Sequence, residues 1–510
     1  MKKIFIALVG MAVAMPSVFA ANTWYVSPNG NDGNSGATWA LAKKTIQAGV
    51  DAAASNDTVL VTNGEYVLSG QITVSKTITV RSVNGPSGTI VNGNGQVTLS
   101  RCFYLGTNCT LDGFTVTNGY VVKAGGAYCV NAGGGAYCVN ASIIITNCTL
   151  TGNTAGYGGG GVSDGTLNNC TLIGNTANGV GFGVAGSGGG ASGSTLNNCM
   201  LIRNTASGAS IGGGIGFGGA AVDSTLNNCT LIGNSANDGG GAFDSSLNNC
   251  TLAGNSASSG GGAYDCSLNN CTLSGNSATN GSGARGGILN NCIVYYNIGT
   301  NNIHDGTIRY TCAPDAPAGL GNITNAPMFV NTNTGNYRLL FGSPCINAGH
   351  NALVPTNVPS LDLDGNSRIW DVTVDMGAYE YGSVPPDPVI KANGSTNDII
   401  ITSGTNLSIT AQIDPGQYQG INADWWVVAL AGYSWYYLNN LIQWTPFDGN
   451  LSNCQPVHQG ALFDLSATEI LNITGLSTGL YTFWFAVDPM DGAVNLDGPI
   501  WLDSVNVLVQ

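Results

Sequence analysis

The sequence predicts an all-β protein, a parallel β-helix followed by a C-terminal β-sandwich, and three observations carry that prediction. The string Leu-Asn-Asn-Cys recurs at Leu167, Leu196, Leu226, Leu247, Leu268 and Leu289, which spaces Cys170, Cys199, Cys229, Cys250, Cys271 and Cys292 by 29, 30, 21, 21 and 21 residues. A period near 21 residues is the rung of a solenoid. Glycine runs at 239–241 and 260–262 separate the repeats. Each glycine would cost a helix about 1 kcal/mol relative to alanine, so a helical second half of the repeat is disfavoured. Beyond about residue 390 the text changes to alternating apolar stretches at 399–401, 407–410, 425–428, 480–485 and 505–508, separated by Gly, Asn and Pro. That spacing predicts a sandwich.

Residues 1–20 read as an export signal, with Lys2 and Lys3, an apolar run from Ile4 to Met15, and Val18-Phe19-Ala20 before the cleavage point. Removing two of the 14 basic residues leaves 12 against 28 acidic ones, a mature charge of −16. The expectation is a secreted or cell-surface protein. No later run approaches the 18 or so apolar residues of a membrane helix, so no membrane span is expected after signal removal. Only 8% of residues are charged and the balance is acidic. A nucleic-acid partner, which needs a Lys/Arg surface, is excluded.

An amphipathic helix at about Thr45 to Ala54 is expected to cover the open end of the solenoid before Thr58-Val59-Leu60-Val61 begins the first rung. Within each unit, period-two alternation turns Cys170 and Leu172 inward and Thr171 outward. Asn175 then falls at the next turn, where asparagine tolerates the left-handed conformation. The longer units, through 178–190 and 207–220, are expected to bulge as glycine-rich loops. Stacked cysteines keep their Cβ atoms near the rung spacing, wider than the roughly 3.8 Å of a disulfide. The periodic cysteines should therefore be buried thiols. Cys102 with Cys109 and Cys129 with Cys138 are the better pairs for a bridge.

From Trp24 to about Tyr310 the chain resembles the right-handed parallel β-helix proteins of the pectin-lyase-like superfamily. The resemblance rests on Tyr25-Val26-Ser27-Pro28-Asn29-Gly30-Asn31-Asp32-Gly33 with Lys44-Thr45-Ile46-Gln47-Ala48, and on the repeats, which are also similar to those of polymorphic outer-membrane proteins. Ser343-Pro344-Cys345-Ile346-Asn347-Ala348-Gly349, 362–368 and Val374-Asp375-Met376-Gly377-Ala378-Tyr379-Glu380-Tyr381 resemble a choice-of-anchor Q segment. The expected organisation is a signal at 1–20, the β-helix with its cap at 21–325, the anchor-like segment at 326–383, a proline-rich linker at 384–390 and the sandwich at 391–510.

The resemblance implies two functions, surface adhesion through glycan binding or cleavage of an acidic polysaccharide. Calcium-assisted elimination needs a basic residue beside a carboxylate-bound cation, and between 141 and 300 only Arg203 and Arg285 are basic. Asp164, Asp223, Asp244 and Asp265 each stand six residues before their unit's cysteine. In register they form a column about 5 Å apart, so Asp223, Asp244 and Asp265 are candidate ligands for Ca²⁺ or for a glycan. Turn closure by aspartate is the structural alternative. Phe243 and Tyr264 precede this column and, if Ala242 and Ala263 point inward, face outward as a platform for sugar rings. His304, His350 and His458 lack partners at zinc-ligand spacing. The motifs assign no catalytic residue. The sequence thus favours a non-catalytic binder of a polysaccharide or cell-surface glycan over a Ca²⁺-dependent lyase or hydrolase.

Overall fold

The computed structural model describes residues 21–106, 108–121, 133–179, 184–209, 213–356, 361–369, 372–382, 385–450, 453–489 and 500–510. Residues 1–20, read in the sequence as an export signal, and Cys129 lie outside the described residues. Among those described, three long parallel sheets of twelve, ten and ten strands wrap a common core. The first sheet runs from Thr23–Val26 to Thr307–Arg309 and takes the Leu-Asn half of each repeat. The second runs from Gly64–Val67 to Ile293–Tyr295 and takes the Thr-Leu half. The third, from Ile72–Val74 to Ile303–His304, takes the short piece after the glycines.

One register runs the length of the solenoid. Val59, Val80, Leu111, Ile145 and Leu167 are successive partners, as are Leu167, Leu196, Leu226, Leu247, Leu268 and Leu289. All are buried in one continuous core. The corner between the first and second sheets is made by the second asparagine of the repeat. Asn169, Asn198, Asn228, Asn249, Asn270 and Asn291 have φ between 51° and 53°, the left-handed region that asparagine tolerates. This corner turns the cysteine inward, where Cys170 N donates to Cys199 Sγ at 3.5 Å and Cys199 N to Cys229 Sγ at 3.4 Å.

The expectation for Asn175 is corrected. The left-handed residue at the following corner is Gly174, with φ 58°, and Asn175 is fully buried. Its Nδ2 donates to Asn204 Oδ1 at 3.0 Å and to Leu150 O at 2.9 Å, while its Oδ1 accepts from Asn153 N and Nδ2, each at 3.0 Å. The ladder continues through Asn234, Asn255, Asn276 and Asn297. At this sharp bend the amide side chains satisfy backbone groups that the sheets leave unpaired.

The capping helix spans Ile46–Ala52, with the Thr45 side chain accepting from Ala48 N. It buries Ile46, Gly49 and Val50 on the solenoid end. Gly49 permits the approach, since a Cβ there would come within 2.6 Å of Val26 Cγ2. The two long units do not bulge independently: Gly186–Ser187 pairs in parallel with Gly216–Phe217, and 180–183 and 210–212 lie outside the described residues. Cys102 and Cys109 form no bridge and are buried thiols, as are the periodic cysteines.

The segment after the last rung lies on the side of the solenoid. Phe329, Tyr337, Leu339, Cys345 and Met376 pack with Ala253 and Ile293, covering the outer face of the second sheet. Asn249 Nδ2 donates to Leu361 O, Asn291 Nδ2 to His350 O, and Ala378 N to Thr272 Oγ1. Asp362 closes a turn, its Oδ1 accepting from Asp364 N and Asn366 N. Beyond it, a three-stranded antiparallel sheet of Asp387–Ala392, Leu407–Asp414 and Leu465–Ile473 faces a larger sheet built on Asn422–Ala431, Gly479–Pro489 and Trp501–Val509. A single apolar core contains residues of both. The first of these strands already begins at Asp387, inside the proline-rich stretch.

Candidate functional site

The third sheet presents the chemistry. Its strands are two or three residues long between the glycine turn and the aspartate turn, so one residue points in and the next points out. Ala242, Ala263 and Ala284 are buried, and the outward column reads Val222, Phe243, Tyr264, Arg285 and His304 in register. A second column runs beside it, Phe217, Asp238, Ser259 and Asn280, joined by parallel bridges. Gly218, Gly239, Gly260 and Gly281, with φ between 61° and 67°, reverse the chain from one column into the other. A Cβ on Gly239 would fall 2.9 Å from Phe243 Cβ and 2.4 Å from Ala242 O, so the glycine runs are what bring the columns together.

Across this seam the side chains stack. The rings of Phe217 and Phe243 are 4.7 Å apart, those of Phe243 and Tyr264 are 5.1 Å apart and 22° from parallel, and Arg285 Cζ sits 5.0 Å from the Tyr264 centroid. Arg285 Nη1 donates to Ser259 Oγ at 2.8 Å. Burial raises the Asp238 carboxyl above its usual range, against the opposing pull of Arg285. The result is a half-buried aromatic ladder over consecutive rungs, ending in a cation and edged by hydroxyl, amide and carboxylate groups.

Phe243 and Tyr264, expected from sequence, are thus brought together. The sequence does not single out Phe217, Ser259 and Asp238 as site residues, and it singles out Arg285 only as one of the two basic residues that elimination could use. Arg285 stands seven residues before Cys292, as Tyr264 does before Cys271 and Phe243 before Cys250, a shared position that places it in the column. Phe217 belongs to a long unit, where spacing gives no such signal. Arg203 sits elsewhere, exposed at the Gly174 corner with φ 52°.

Asp223, Asp244 and Asp265 line the far edge of the ladder and are exposed. Each makes the left-handed turn into the first sheet, with φ 49°, 45° and 49°, and the same corner is taken by Asp164, Gly193, Gly286 and Asp305. The backbone conformation therefore accounts for the residue type, because Asp and Gly both accept it. Burial, with a smaller contribution from Asp244, raises the Asp223 carboxyl. The three aspartates follow one another at this corner rung by rung, the turn-closing position that stands beside their reading as ligands for Ca²⁺ or a glycan. Among the described residues no three His, Cys, Asp or Glu side chains gather as a metal site. Their position beside the rings keeps them as edge groups for a ligand.

No protein-family model and no curated protein matches this chain. Among solved structures, a mutant of the PL6 family alginate lyase AlyGC is similar over 71% of this chain and 61% of its own, with 12% sequence identity and a TM-score of 0.28. The chain therefore spans less than two thirds of that lyase. None of the helices among the described residues is long and apolar enough to cross a membrane.

Proposed function

We propose that this is a secreted or cell-surface member of the pectin-lyase-like β-helix proteins that binds a polysaccharide along the third sheet without cleaving it. The observation that carries the reading is the continuous stack of Phe217, Phe243, Tyr264 and Arg285. Aromatic faces accept the apolar C–H faces of sugar rings, and the rung spacing of about 4.8 Å offers one such contact per step. Asp223, Asp238, Asp244, Asp265, Ser259 and Asn280 edge the stack with hydroxyl-binding groups. Four carboxylates against one guanidinium favour a neutral glycan over a uronic acid polymer. The signal at 1–20 supports export, and the anchor-like segment at 326–383 supports retention at a surface.

A second reading, a polysaccharide lyase, is favoured by Arg285, which faces outward beside the Tyr264 ring as a cation next to a phenol. Both are tested by presenting residues 21–510 to neutral and acidic polysaccharides, with and without Ca²⁺, while following retention, unsaturated products and new reducing ends. Retention without product that is lost in a Phe243→Ala/Tyr264→Ala variant supports the binder. Unsaturated product that disappears with Arg285→Ala replaces it with the lyase.

A further inference from the structure

The outward column of the third sheet carries a second aromatic station, in line with the ladder and several rungs before it. Phe103 and Leu105 are buried, as are Ala136 and Cys138, so alternation turns Tyr104 and Tyr137 outward. The two tyrosines are direct partners, and from Tyr137 the column passes through Ser163, Ser192 and Val222 to Phe243. Four steps of about 4.8 Å set the stations about 19 Å apart.

The make-up of the ladder is repeated at this station. The Tyr104 and Tyr137 rings lie 5.6 Å apart, against 5.1 Å for Phe243 and Tyr264. Arg101 Cζ stands 5.1 Å from the Tyr137 centroid, as Arg285 Cζ stands 5.0 Å from that of Tyr264. Asp164, one rung on from Tyr137, takes the corner that Asp244 and Asp265 take beside the ladder, and burial followed by the Asp164 charge raises the Tyr137 phenol. Tyr137 is only 9% exposed and forms the support. Tyr104 is the half-buried ring that a ligand would meet. Packing does not demand the repetition, because the same column closes its intervening rungs with Ser163, Ser192 and Val222, and the column beside it does so with Gly158 and Ser187.

We propose that the third sheet grips one extended polysaccharide chain at two stations, Tyr104 on Tyr137 and Phe243 on Tyr264, so that full affinity requires a ligand long enough to span about 19 Å. The proposal rests on the glycan-binding reading above and adds to it a second contact and a length requirement. The small residues between the stations leave a chain room to pass, with the Ser187 and Ser192 hydroxyls beside it. Two contacts tethered on one rigid scaffold hold a chain far more tightly than either alone.

The test is affinity electrophoresis of residues 21–510 in gels containing hydroxyethyl cellulose, glucomannan or xyloglucan, with retention competed by oligosaccharides of graded length cut from the retained polymer. Competition should step up about tenfold or more once the oligosaccharide exceeds the span between the stations. Tyr104→Leu, which keeps an apolar side chain and removes the ring, should erase that step and weaken retention about tenfold, and Phe243→Ala/Tyr264→Ala should do the same. The length step is measured on the unsubstituted chain and stands whether or not Tyr104→Leu folds. Competition that grows smoothly with length, or retention untouched in a Tyr104→Leu protein with native circular dichroism, overturns the proposal and leaves the ladder as the single station of the glycan-binding reading. No retention of the unsubstituted chain on any of the three polymers overturns that reading and this proposal with it.

Discussion

Arg285 holds its guanidinium carbon 5.0 Å from the centre of the Tyr264 ring, one rung further along the stack. At a half-exposed site such a contact is worth about 0.5–1 kcal/mol, too little to be retained for stability alone. Its larger effect is to orient a planar cation at the end of the aromatic ladder. Arg285→Ala should therefore weaken retention on a bound polysaccharide about three- to tenfold while changing the unfolding free energy by less than about 1 kcal/mol. Arg285→Lys should recover only part of the loss, since an ammonium does not lie flat on a ring. Affinity electrophoresis beside thermal unfolding separates the two effects.

The inner amide ladder should be far less tolerant. In Asn234→Ala, Asn204 N and Nδ2 both lose their acceptor and Leu201 O loses a donor. At about 1–3 kcal/mol for each buried unpaired group, the loss should be on the order of 3–5 kcal/mol. Asn197→Ala, on the half-exposed outer ladder, should cost less than about 1 kcal/mol. Denaturant unfolding of the two variants measures the difference.

Glycines that look alike in sequence should respond oppositely. A Cβ on Gly240 would lie 2.4 Å from Gly261 O and 2.5 Å from Ser256 O, both backbone atoms fixed by neighbouring rungs. Gly240→Ala should yield misfolded protein. Gly254, at φ 62°, has nothing within 4 Å of its virtual Cβ, and the matching corner two units earlier, beyond Gly233, is occupied by Arg203. Gly254→Asn should fold with a loss of about 1 kcal/mol or less, as read from circular dichroism and solubility.

The segment docked on the last rungs should weaken as pH rises. Burial lifts Glu380 to about 8 and Asp375 to about 6, even though Arg368 Nη2 lies 3.0 Å from Glu380 Oε1. The folded state therefore holds protons that the unfolded chain releases near the ordinary carboxylate values. This contribution to stability is full below about pH 4 and is lost as pH climbs through the folded values. Hydrogen exchange within 326–383 should be faster at about pH 9 than at about pH 5 after correction for intrinsic rates, and Glu380→Gln should flatten the slope.

The thiols should be inert in the native protein. Burial pushes Cys148 and Cys266 up to about 12, so little thiolate is present at neutral pH. A thiol reagent should label these positions slowly until denaturant is added. Rapid native labelling of Cys148 or Cys266 would contradict the buried columns.

The repeat spacing was enough to read the solenoid, its register and its inward cysteine and leucine columns, because each follows from a period that the residues repeat. Phe243 and Tyr264 were legible for the same reason, standing next to alanines that had to point inward. Asn175 was misread because a corner asparagine signals the left-handed region, whereas its burial depends on Asn153 and Asn204 in adjacent rungs. Phe217 was hidden by the extra length of its unit. The spacing of the aspartates suits Ca²⁺ or glycan ligands and turn closure alike, and the backbone corner they occupy, which glycine fills equally well at Gly193 and Gly286, accounts for that spacing.

The equal length of the last units has an evolutionary reading. Phe243, Tyr264 and Arg285 come from successive 21-residue units in a single register, so duplicating or deleting one whole unit moves every inward column by one step and leaves no seam. The face behaves as a ruler with replaceable graduations. On the proposed function, each duplicated unit would add one contact on a polymer, and the gain would compound because the contacts are tethered to one another. The length of the outward face can thus change by recombination between repeats, without the invention of a new side-chain arrangement.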